Sequence, residues 1–222
     1  MKRKIDFIVS CLAILVLIPF MIPIIIILKL TGEHYIFYSQ PRMGRNGTQF
    51  KIIKFSTMLK NSPNIGTGEI SLKKDPRVFP FGRFLRKTKI NEIPQLLNVL
   101  KGEMSIVGPR PLTPTHFSYY TLEQQAVIKQ LTPGLTGVGA IIFREEKEIF
   151  ANSKLDHEQT YRQMLSPYKA TLEGWYSKNK SMWVDFKLIF LTIWVIIFTK
   201  SQLPYKILRG LPEKPMELES LI

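Results

Sequence analysis

The chain has little sulfur and little negative charge. Its 222 residues include one cysteine, Cys11, which lies inside an apolar N-terminal run, so no disulfide can form within the chain. A single unpaired cysteine of this kind fits a reducing, cytoplasmic location. Only 17 acidic residues oppose 31 lysines and arginines, which gives a net charge of +14. That imbalance favours anionic partners, namely nucleic acid, a membrane surface or phosphorylated ligands.

Two further absences exclude common kinds of site. The histidines His34, His116 and His157 have no Cys or His neighbours at metal-ligand spacing, so we assign them no metal. The sequence also has no glycine-rich nucleotide loop of the Walker or dinucleotide type. Because 45% of the residues are hydrophobic, the basic charge favours a membrane surface, and we predict no nucleic-acid partner.

An apolar run of 22 residues, 7–28, dominates the N-terminus and is long enough to span a bilayer as a helix. Lysines and arginines stand on both sides of this run, so the positive-inside rule pulls both ends toward the cytoplasm. Pro19 and Pro23 interrupt the run, and a proline inside a helix removes a backbone donor and bends the chain. We therefore predict a helix that enters the membrane, breaks at proline and returns to the same face. A single kinked transmembrane helix is the alternative.

Two β-prone runs follow the apolar segment. Residues 35–38 and 50–55 are rich in aromatic and β-branched side chains, and the Asn46-Gly47 pair between them favours a tight turn. The sequence therefore predicts a short β-hairpin in which Lys54 lies near the end of the second strand.

The rest of the chain is organised around residues 86–111. The cations and the polar pair that open this segment are Arg86, Lys87, Lys89, Asn91 and Glu92, and the rigid turn that closes it is Gly108-Pro109-Arg110-Pro111. Arginine forks bind phosphate oxygens in pairs, and a carboxylate can hold Mg²⁺ against the same phosphates. Pro94 suits the first turn of a helix, which places Asn91 and Glu92 at or just before a helix N-terminus. Free N–H groups are expected there to favour an anion.

The ordered motifs of this segment resemble the monotopic phosphoglycosyl transferases, or bacterial sugar transferases. The family's core contains an Asp-Glu pair, Leu-Pro-Gln, Asn-Val-Leu, Gly-Asp-Met-Ser and Gly-Pro-Arg-Pro. The counterparts here are Asn91-Glu92-Ile93-Pro94-Gln95, Asn98-Val99-Leu100, Gly102-Glu103-Met104-Ser105 and Gly108-Pro109-Arg110-Pro111. One departure is central to the chemistry, because the family's nucleophilic Asp is Asn91 in this chain.

The resemblance implies a membrane-bound enzyme that moves a phosphosugar from a UDP-sugar to undecaprenyl phosphate, in bacterial polysaccharide, lipopolysaccharide or glycoprotein assembly. It implies a mostly helical α+β fold with a re-entrant membrane helix at residues 1–30. A small cytoplasmic catalytic domain with short strands and interfacial amphipathic helices would cover 31–200, and a C-terminal tail 201–222. The expected location is monotopic, on the cytoplasmic face of the bacterial inner membrane. Mg²⁺ is the expected cofactor, membrane lipid a further partner and a homodimer a candidate assembly.

The resemblance also assigns roles to single residues. Glu92 and Asn91 are the catalytic candidates, and Glu92 is the expected Mg²⁺ ligand. The residues expected to bind the phosphates or the nucleotide of the donor are Arg42, Lys54, Arg86, Lys89, Pro109, Arg110, Pro111 and Arg144. The residues expected to form the membrane hairpin are Arg3, Asp6, Pro19 and Pro23. Asn98 and Ser105 are expected to form hydrogen bonds at helix ends.

Asn91 leaves the mechanism open, because an amide oxygen is uncharged and should not form the covalent intermediate of the family. In one mechanism the acceptor attacks the donor directly, while Glu92, Mg²⁺ and the cations bind and polarise. In a second, Glu92 itself is the nucleophile or base. In a third, only the sugar moves to a polyprenyl-linked acceptor, with Glu92 as the base. A catalytically inactive membrane scaffold is the alternative outside the enzymes.

The last apolar run, residues 188–198, is too short to span a membrane. Trp183 and Lys187 precede it, which is typical of an interfacial helix. A buried core helix is the alternative interpretation.

Overall fold

The computed structural model describes residues 1–66, 70, 75–144, 146–199, 201–219 and 221. The α-helices in these ranges are α1 (Lys2–Leu30), α2 (Pro80–Lys87), α3 (Leu96–Lys101), α4 (Pro114–Ser118), α5 (Leu122–Lys129), α6 (Val138–Ile142), α7 (Glu146–Asn152), α8 (His157–Thr160), α9 (Ser166–Asn179), α10 (Met182–Ile197), α11 (Leu203–Ile207) and α12 (Met216–Glu219). The strands are β1 (Phe37–Met43), β2 (Gln49–Phe55), β3 (Ser105–Val107) and β4 (Gly134–Thr136), which pair as β1–β2 and β3–β4. The predicted class, mostly helical with a few short strands and a long apolar N-terminal helix, is confirmed.

Shorter helical turns complete the secondary structure. They are 3₁₀ turns at Arg45–Gly47, Ser62–Asn64 and Ile90–Gln95 and a π-helix at Tyr161–Leu165. The predicted turn between the first two strands is confirmed, since Asn46 has a positive φ of 58°. The first strand begins later than the sequence predicts, at Phe37.

The chain divides into two compact units. The first unit contains Met1–Pro41 and Phe50–Ile106, and the second contains Arg42–Gln49 and Val107–Ile222. The division predicted from the sequence, at residues 30 and 200, stays a prediction.

In the first unit, α1 is exposed along its middle and bound at its start. The side chains of Leu15, Val16 and Phe20 are each about two-thirds exposed, at 65%, 67% and 66%. Among the described residues, α1 is the one helix long and apolar enough to cross a membrane. Near its start, Asp6 accepts a hydrogen bond from Ser105 Oγ at 2.8 Å.

Other contacts fix both ends of α1 to the first unit. Arg3 donates from Nη1 to the carbonyl of Val99 and from Nη2 to that of Leu100, the latter at 2.6 Å. Near the other end, Leu28 is 1% exposed and belongs to a buried cluster with Phe55 and Leu85. Arg3 and Asp6, which the sequence assigns to the membrane hairpin, therefore contact the first unit, and so does Leu28 at the C-terminal end of α1.

The second unit is built around α9, of which one side is buried. Leu172 is fully buried, and Trp175 and Tyr176 are nearly so. Residues 201–219, which the sequence suggests are a tail, contribute to this core through Leu208 and Leu218, each 1% exposed. Their apolar residues are irregularly spaced, so the sequence shows no helical stripe that would predict burial.

The helix α10 begins earlier than the sequence predicts, at Met182, because Ser181 caps it by accepting a hydrogen bond from the backbone N–H of Val184. Its side chains divide into two faces. Leu188, Leu191 and Val195 are buried, and those that stay exposed are Trp183, Phe186, Phe190, Ile193, Ile196 and Ile197.

Candidate functional site

The predicted catalytic pair lies in the 3₁₀ turn Ile90–Gln95, which runs directly into α3 at Leu96, so it stands just before a helix as the sequence predicts. Lys89, two residues after the end of α2, precedes this turn in the left-handed conformation, at φ 63°. Pro94 has no N–H to donate, so α-helical bonding cannot become continuous until α3 begins at Leu96. The N–H of Glu92 already donates to the carbonyl of Lys89 at 3.0 Å. The free N–H groups expected from the sequence are therefore not offered at Glu92.

The structure brings Lys54 and Glu92 together across 38 residues of sequence. Lys54 Nζ lies 2.8 Å from Glu92 Oε1, and the two side chains are 18% and 16% exposed. Asn91, next to Glu92 in sequence, is 8% exposed, and its Oδ1 is buried with no hydrogen-bond partner. This is a half-buried ion pair at the surface of the first unit, next to a neutral amide.

Asn98 fixes the distance between the strand that carries Lys54 and the segment that carries Glu92. It is 0% exposed. Its Oδ1 accepts from the backbone N–H of Ile53 at 3.0 Å, and its Nδ2 donates to the carbonyl of Lys51 at 2.8 Å. The same Nδ2 donates to Glu103 Oε2 at 2.7 Å. The helix-end role expected of Asn98 and Ser105 is wrong: the Asn98 side chain joins α3 to β2, and Ser105 lies in β3, where its hydroxyl donates to Asp6.

The two other cations of the first unit that were predicted to bind phosphate, Arg86 and Lys89, stand close to this turn in sequence. Arg86 lies in the last turn of α2 and is half-buried, and Lys89 is exposed where the 3₁₀ turn begins. Their predicted role in binding phosphate stays a prediction.

In the second unit, the turn Gly108-Pro109-Arg110-Pro111 is held by close backbone contacts between glycines. Gly108 N donates to Thr136 O at 2.9 Å, and Gly134 N donates to Pro109 O at 2.8 Å. A Cβ on Gly108 would lie 2.2 Å from Thr132 O, and one on Gly134 would lie 2.1 Å from Gly108 N. The backbones touch, so neither glycine can be replaced without moving the turn.

Two side chains bind this turn from different sides. Arg42 Nη1 donates to the carbonyl of Pro111 at 3.3 Å. The backbone N–H groups of Arg110 and Gly139 are close enough to the Glu173 carboxyl to lower its pKa against the rise that burial causes. The Arg110 side chain is exposed, whereas Pro109 and Pro111 are buried. The arrangement presents one guanidinium from a turn whose backbone is fixed.

A buried group of ionisable side chains accompanies Glu173. Lys169 is 7% exposed, pairs with Glu146 Oε1 at 2.7 Å and lies 4.6 Å from the centre of the Tyr161 ring. Burial raises the pKa of Tyr161, while the charges of Lys169, Arg110 and Arg42 oppose this rise. Arg144, predicted to bind the donor, lies just after α6, and its Nε is buried with no hydrogen-bond partner.

Burial raises the pKa of Glu173 to about 7, against the N–H groups of Arg110 and Gly139 and the charge of Lys169, which lower it. In the unfolded chain Glu173 should have the pKa of an ordinary Glu, 4.5. The folded protein therefore binds this proton more tightly, so the free energy of unfolding should fall as pH rises from about 4.5 to about 7 and then level off. The slope expected from this group is about 1.4 kcal/mol per pH unit within that window.

Glu173→Gln removes this titration, so urea unfolding of the variant should depend less on pH between pH 5 and pH 8 than that of the wild type. All other titrating groups are common to both proteins, and the difference isolates Glu173. Equal slopes in the two proteins would contradict a raised pKa.

Among the residues that the structure describes, no group of three or more His, Cys, Asp or Glu side chains is placed to hold a metal. The sequence anticipated Glu92, Lys54 and the Pro-Arg-Pro turn. It gave no role to Glu173 or to Lys169. The signal that could have identified them is a pair of charged residues one turn apart in a helix that is otherwise buried.

Residues 1–199 match the bacterial sugar transferase family, and the chain belongs to that family. It is 32% identical over 205 residues to the undecaprenyl-phosphate glucose phosphotransferase of Komagataeibacter xylinus, covering 90% of this chain and 36% of the relative. It is 33% identical over 195 residues to the UDP-glucose:undecaprenyl-phosphate glucose-1-phosphate transferase of Escherichia coli, covering 87% and 39%. The chain thus spans about two-fifths of the length of such relatives. A relative of similar length is the exopolysaccharide production protein ExoY of Sinorhizobium fredii, 30% identical over 214 residues, with 90% of this chain and 87% of the relative covered.

Proposed function

We propose that the protein transfers a phosphosugar from a UDP-sugar to undecaprenyl phosphate in the assembly of a bacterial glycoconjugate. The family membership and the names of the relatives support this reaction. The observation that carries the proposal is the half-buried Lys54–Glu92 pair, at 2.8 Å, in the motif where the family has its catalytic pair. An ion pair between a cation and a carboxylate at this position can bind phosphate and a metal together.

Because Asn91 cannot act as a nucleophile, we propose that the acceptor attacks directly. A phosphate oxygen of undecaprenyl phosphate forms a bond to the β-phosphorus of the UDP-sugar. The bond from that phosphorus to the oxygen bridging the two phosphates breaks, and UMP leaves with the electron pair. The product is a polyprenyl diphosphate sugar. Such a displacement requires mainly positioning and electrostatic stabilisation from the protein.

The residues of the first unit fit a bound Mg²⁺. Magnesium prefers oxygen ligands and is usually held by one or two carboxylates together with substrate phosphates. Glu92 offers the carboxylate, and the partnerless Oδ1 of Asn91 is an oxygen of the preferred kind beside it. Bound there, Mg²⁺ would neutralise charge on the phosphates of the donor. Lys54 pairs with Glu92 and can exchange this contact for a phosphate oxygen.

The basic residues of the second unit have a role of their own in the proposal. Arg110 is exposed on a fixed turn, and Arg42 binds the same turn. We propose that Arg110 binds the diphosphate of the donor, since a guanidinium presents paired N–H groups to phosphate oxygens. Arg42 and Arg144 stay candidates for the nucleotide.

A second function deserves a test because Asn91 favours it. Transfer of the sugar alone to a polyprenyl-linked acceptor needs no nucleophilic Asp, and Glu92 would then be the base that activates a hydroxyl. Incubating the purified protein with UDP-sugars, Mg²⁺ and undecaprenyl phosphate distinguishes phosphosugar transfer from sugar transfer and from an inactive scaffold. We expect UMP. Release of UDP would favour sugar transfer, and neither nucleotide across a broad donor panel would favour an inactive scaffold.

The direct mechanism has its own signature in the same reaction. Intact mass spectrometry of the wild type during turnover should show no phosphosugar adduct on the protein. Asn91→Asp restores a carboxylate, and an adduct is expected in that variant if donor and side chain are correctly placed. An adduct on the wild type that disappears in Glu92→Gln would overturn direct attack and make Glu92 the nucleophile.

We also propose that α1 is re-entrant and holds the protein on the cytoplasmic face of the inner membrane. A straight helix would separate Arg3 from Leu28 by about 38 Å. Both residues nevertheless contact the first unit, where Val99 and Phe55 are their respective neighbours. The backbone N–H of Ile53, close to Phe55 in β2, binds the side chain of Asn98, close to Val99. This proximity, together with Pro19 and Pro23 inside the helix, supports a bend.

The exposed face of α10 supports the same attachment. Trp183 is 78% exposed and Ile197 is 67% exposed. A helix with one apolar face and aromatic residues at its start is suited to the boundary between headgroups and acyl chains.

The topology can be tested by cysteine labelling in a Cys11→Ala background. With a re-entrant helix, Lys2→Cys and Lys29→Cys should both resist an impermeant maleimide in intact spheroplasts and react after permeabilisation. Glu123→Cys, on the exposed side of α5, serves as the reference for the side that the rest of the protein occupies. Labelling of Lys2→Cys in intact spheroplasts, with Lys29→Cys protected, would indicate a single transmembrane helix.

A further inference from the structure

The exposed face of α10 contains one continuous apolar stripe. Its residues recur at alternating steps of three and four, and they are Trp183, Phe186, Phe190, Ile193 and Ile197. Each side chain is at least half exposed, from 50% for Phe190 to 78% for Trp183. Steps of three and four keep side chains on one side of a helix, so the stripe runs for about 21 Å along α10. An apolar surface of this length indicates a binding partner other than water.

Lysines stand at the N-terminal end of the stripe. Lys178 lies in the last turn of α9, Lys180 directly precedes the cap residue Ser181, and Lys187 lies one turn after Trp183 on α10. All three lysines are exposed. Within the described part of the chain, none of their side chains has an ion-pair or hydrogen-bond partner. Their charges are therefore available to a ligand.

No exposed acidic side chain balances these lysines on either helix. The acidic residues of α9 and α10 are Glu173 and Asp185, which are 4% and 6% exposed. Asp185 is further occupied by the hydroxyl of Tyr176, which donates to its Oδ1 at 2.7 Å. The exposed charge beside the apolar stripe is thus entirely positive.

The single sign of charge distinguishes two occupants of this face. A helix that pairs with a second protein helix through an apolar stripe usually carries charges of both signs beside it. An anionic bilayer requires the arrangement found here. Apolar side chains enter the acyl region, the ring of Trp183 suits the headgroup level, and long lysine side chains can extend to the phosphates.

We propose that the corner between α9 and α10, formed by Lys178, Lys180, Trp183 and Lys187, binds the headgroups of anionic phospholipids. The inference rests on the proposed attachment of α10 to the membrane and adds a preference for headgroup charge. A zwitterionic headgroup carries a cation of its own, so it satisfies the lysines less well than an anionic one. Each lysine near an anionic surface strengthens the attraction.

The test measures which lipid contacts Trp183 in the full-length protein, reconstituted into nanodiscs of phosphatidylglycerol and phosphatidylcholine in equal amounts. Brominated acyl chains, which quench tryptophan fluorescence on contact, are placed on one lipid in the first preparation and on the other lipid in the second. The contribution of Trp183 is the difference from Trp183→Phe, because Trp175 and Trp194 are common to both proteins. The association constant fitted for phosphatidylglycerol should exceed that for phosphatidylcholine by about fivefold, the preference expected from one lysine beside an anionic surface.

Charge variants separate the corner from the net charge of the protein. The triple variant Lys178→Gln/Lys180→Gln/Lys187→Gln should bring the two association constants to within about twofold of each other. The matched control, Lys154→Gln/Lys206→Gln/Arg209→Gln, removes the same charge from exposed positions outside α9 and α10 and should retain the preference. Raising NaCl to about 1 M should weaken the preference of the wild type, since the Debye length falls to about 3 Å.

Equal association constants in the wild type, or an equal loss of preference in the two triple variants, would overturn the proposal. Absence of Trp183-dependent quenching by either lipid would count against the attachment of α10 itself, and two copies per nanodisc would then assign the face to a second copy. UMP release in the same nanodiscs tests the transferase reaction separately. Turnover without a lipid preference would count against the lipid site alone, whereas a lipid preference without turnover would count against the proposed reaction and leave the lipid site supported.

Discussion

Turnover should fall by about a hundredfold to a thousandfold when Glu92 is replaced by Gln. The amide has the shape of the carboxyl group and can still accept from Lys54, so the local packing is retained. What disappears is the negative charge that would hold Mg²⁺ and balance Lys54 at 2.8 Å. The loss should appear in kcat more than in the donor KM, because the charge acts on the phosphates as the displacement proceeds. The measurement is the rate of UMP release at saturating donor and acceptor.

Stability provides the control for this prediction. The amide in Glu92→Gln can still accept a hydrogen bond from Lys54, and both side chains keep some contact with water at 18% and 16% exposure, so the free energy of unfolding should fall by less than the roughly 3–5 kcal/mol that breaking a fully buried pair costs. Glu33→Gln removes an exposed carboxylate from the same unit and should leave turnover unchanged. Full activity in Glu92→Gln would remove Glu92 from the mechanism, and a large loss of stability would show that the residue supports the fold instead.

Local features of this protein could be predicted from the sequence because their causes are local. The first β-hairpin follows from two β-prone runs around Asn46-Gly47, and the left-handed Asn46 is what such a turn requires. The apolar run at the N-terminus has a length and flanking charges that predict a helix able to enter a membrane, and α1 is long and apolar enough to do so. The motif around Glu92 could be recognised as an ordered set of residues even though its chemistry lies in contacts that no motif contains.

The local geometry of the candidate pair Asn91-Glu92 was predicted in part: the pair precedes a helix, but it lies inside a 3₁₀ turn. Pro94 is tolerated in the first turn of an α-helix, which suggested a free helix N-terminus at Asn91 and Glu92. Lys89 has a left-handed backbone conformation, which is uncommon in residues other than glycine and therefore hard to predict from sequence. A 3₁₀ turn begins directly after it. Pro94 would allow an α-helix to begin at Asn91, but the chain forms a 3₁₀ turn after Lys89, and the α-helix begins only at Leu96.

Long-range partners could not be predicted because nothing in one segment encodes the identity of the other. The carboxyl group of Glu173 lies close to the backbone N–H of Arg110, and the hydroxyl of Tyr168 meets the carbonyl of Pro212 at 2.8 Å. Backbone groups are the same at every residue, so a side chain that binds one leaves no complementary residue to be found in the sequence. Polar side chains buried in this way are visible only once the fold is known.

Replacing Asn98 with Ala should lower the free energy of unfolding by roughly 3 kcal/mol or more, since each buried polar group left without a partner costs about 1–3 kcal/mol. The affected groups are the N–H of Ile53, the carbonyl of Lys51 and the carboxylate of Glu103. The measurement is urea unfolding of the purified variant in detergent. Asn179→Ala is a matched control, because that exposed Asn makes one bond, to the carbonyl of Trp175 at 2.9 Å.

The loss at Asn98 should also reach the candidate active site, because its side chain ties the strand that carries Lys54 to the helix that follows Glu92. At a temperature where the variant is still folded, turnover should fall, while Asn179→Ala retains both stability and activity. Asn98→Asp sharpens the test: it keeps an acceptor for Ile53 but places a second carboxylate against Glu103 Oε2, so it should be no more stable than Asn98→Ala near neutral pH. If Asn98→Ala unfolds at the same urea concentration as the wild type, the three hydrogen bonds do not hold β2 to α3, and the Lys54–Glu92 distance must be set by the apolar contacts of Phe50, Ile52 and Val99 alone.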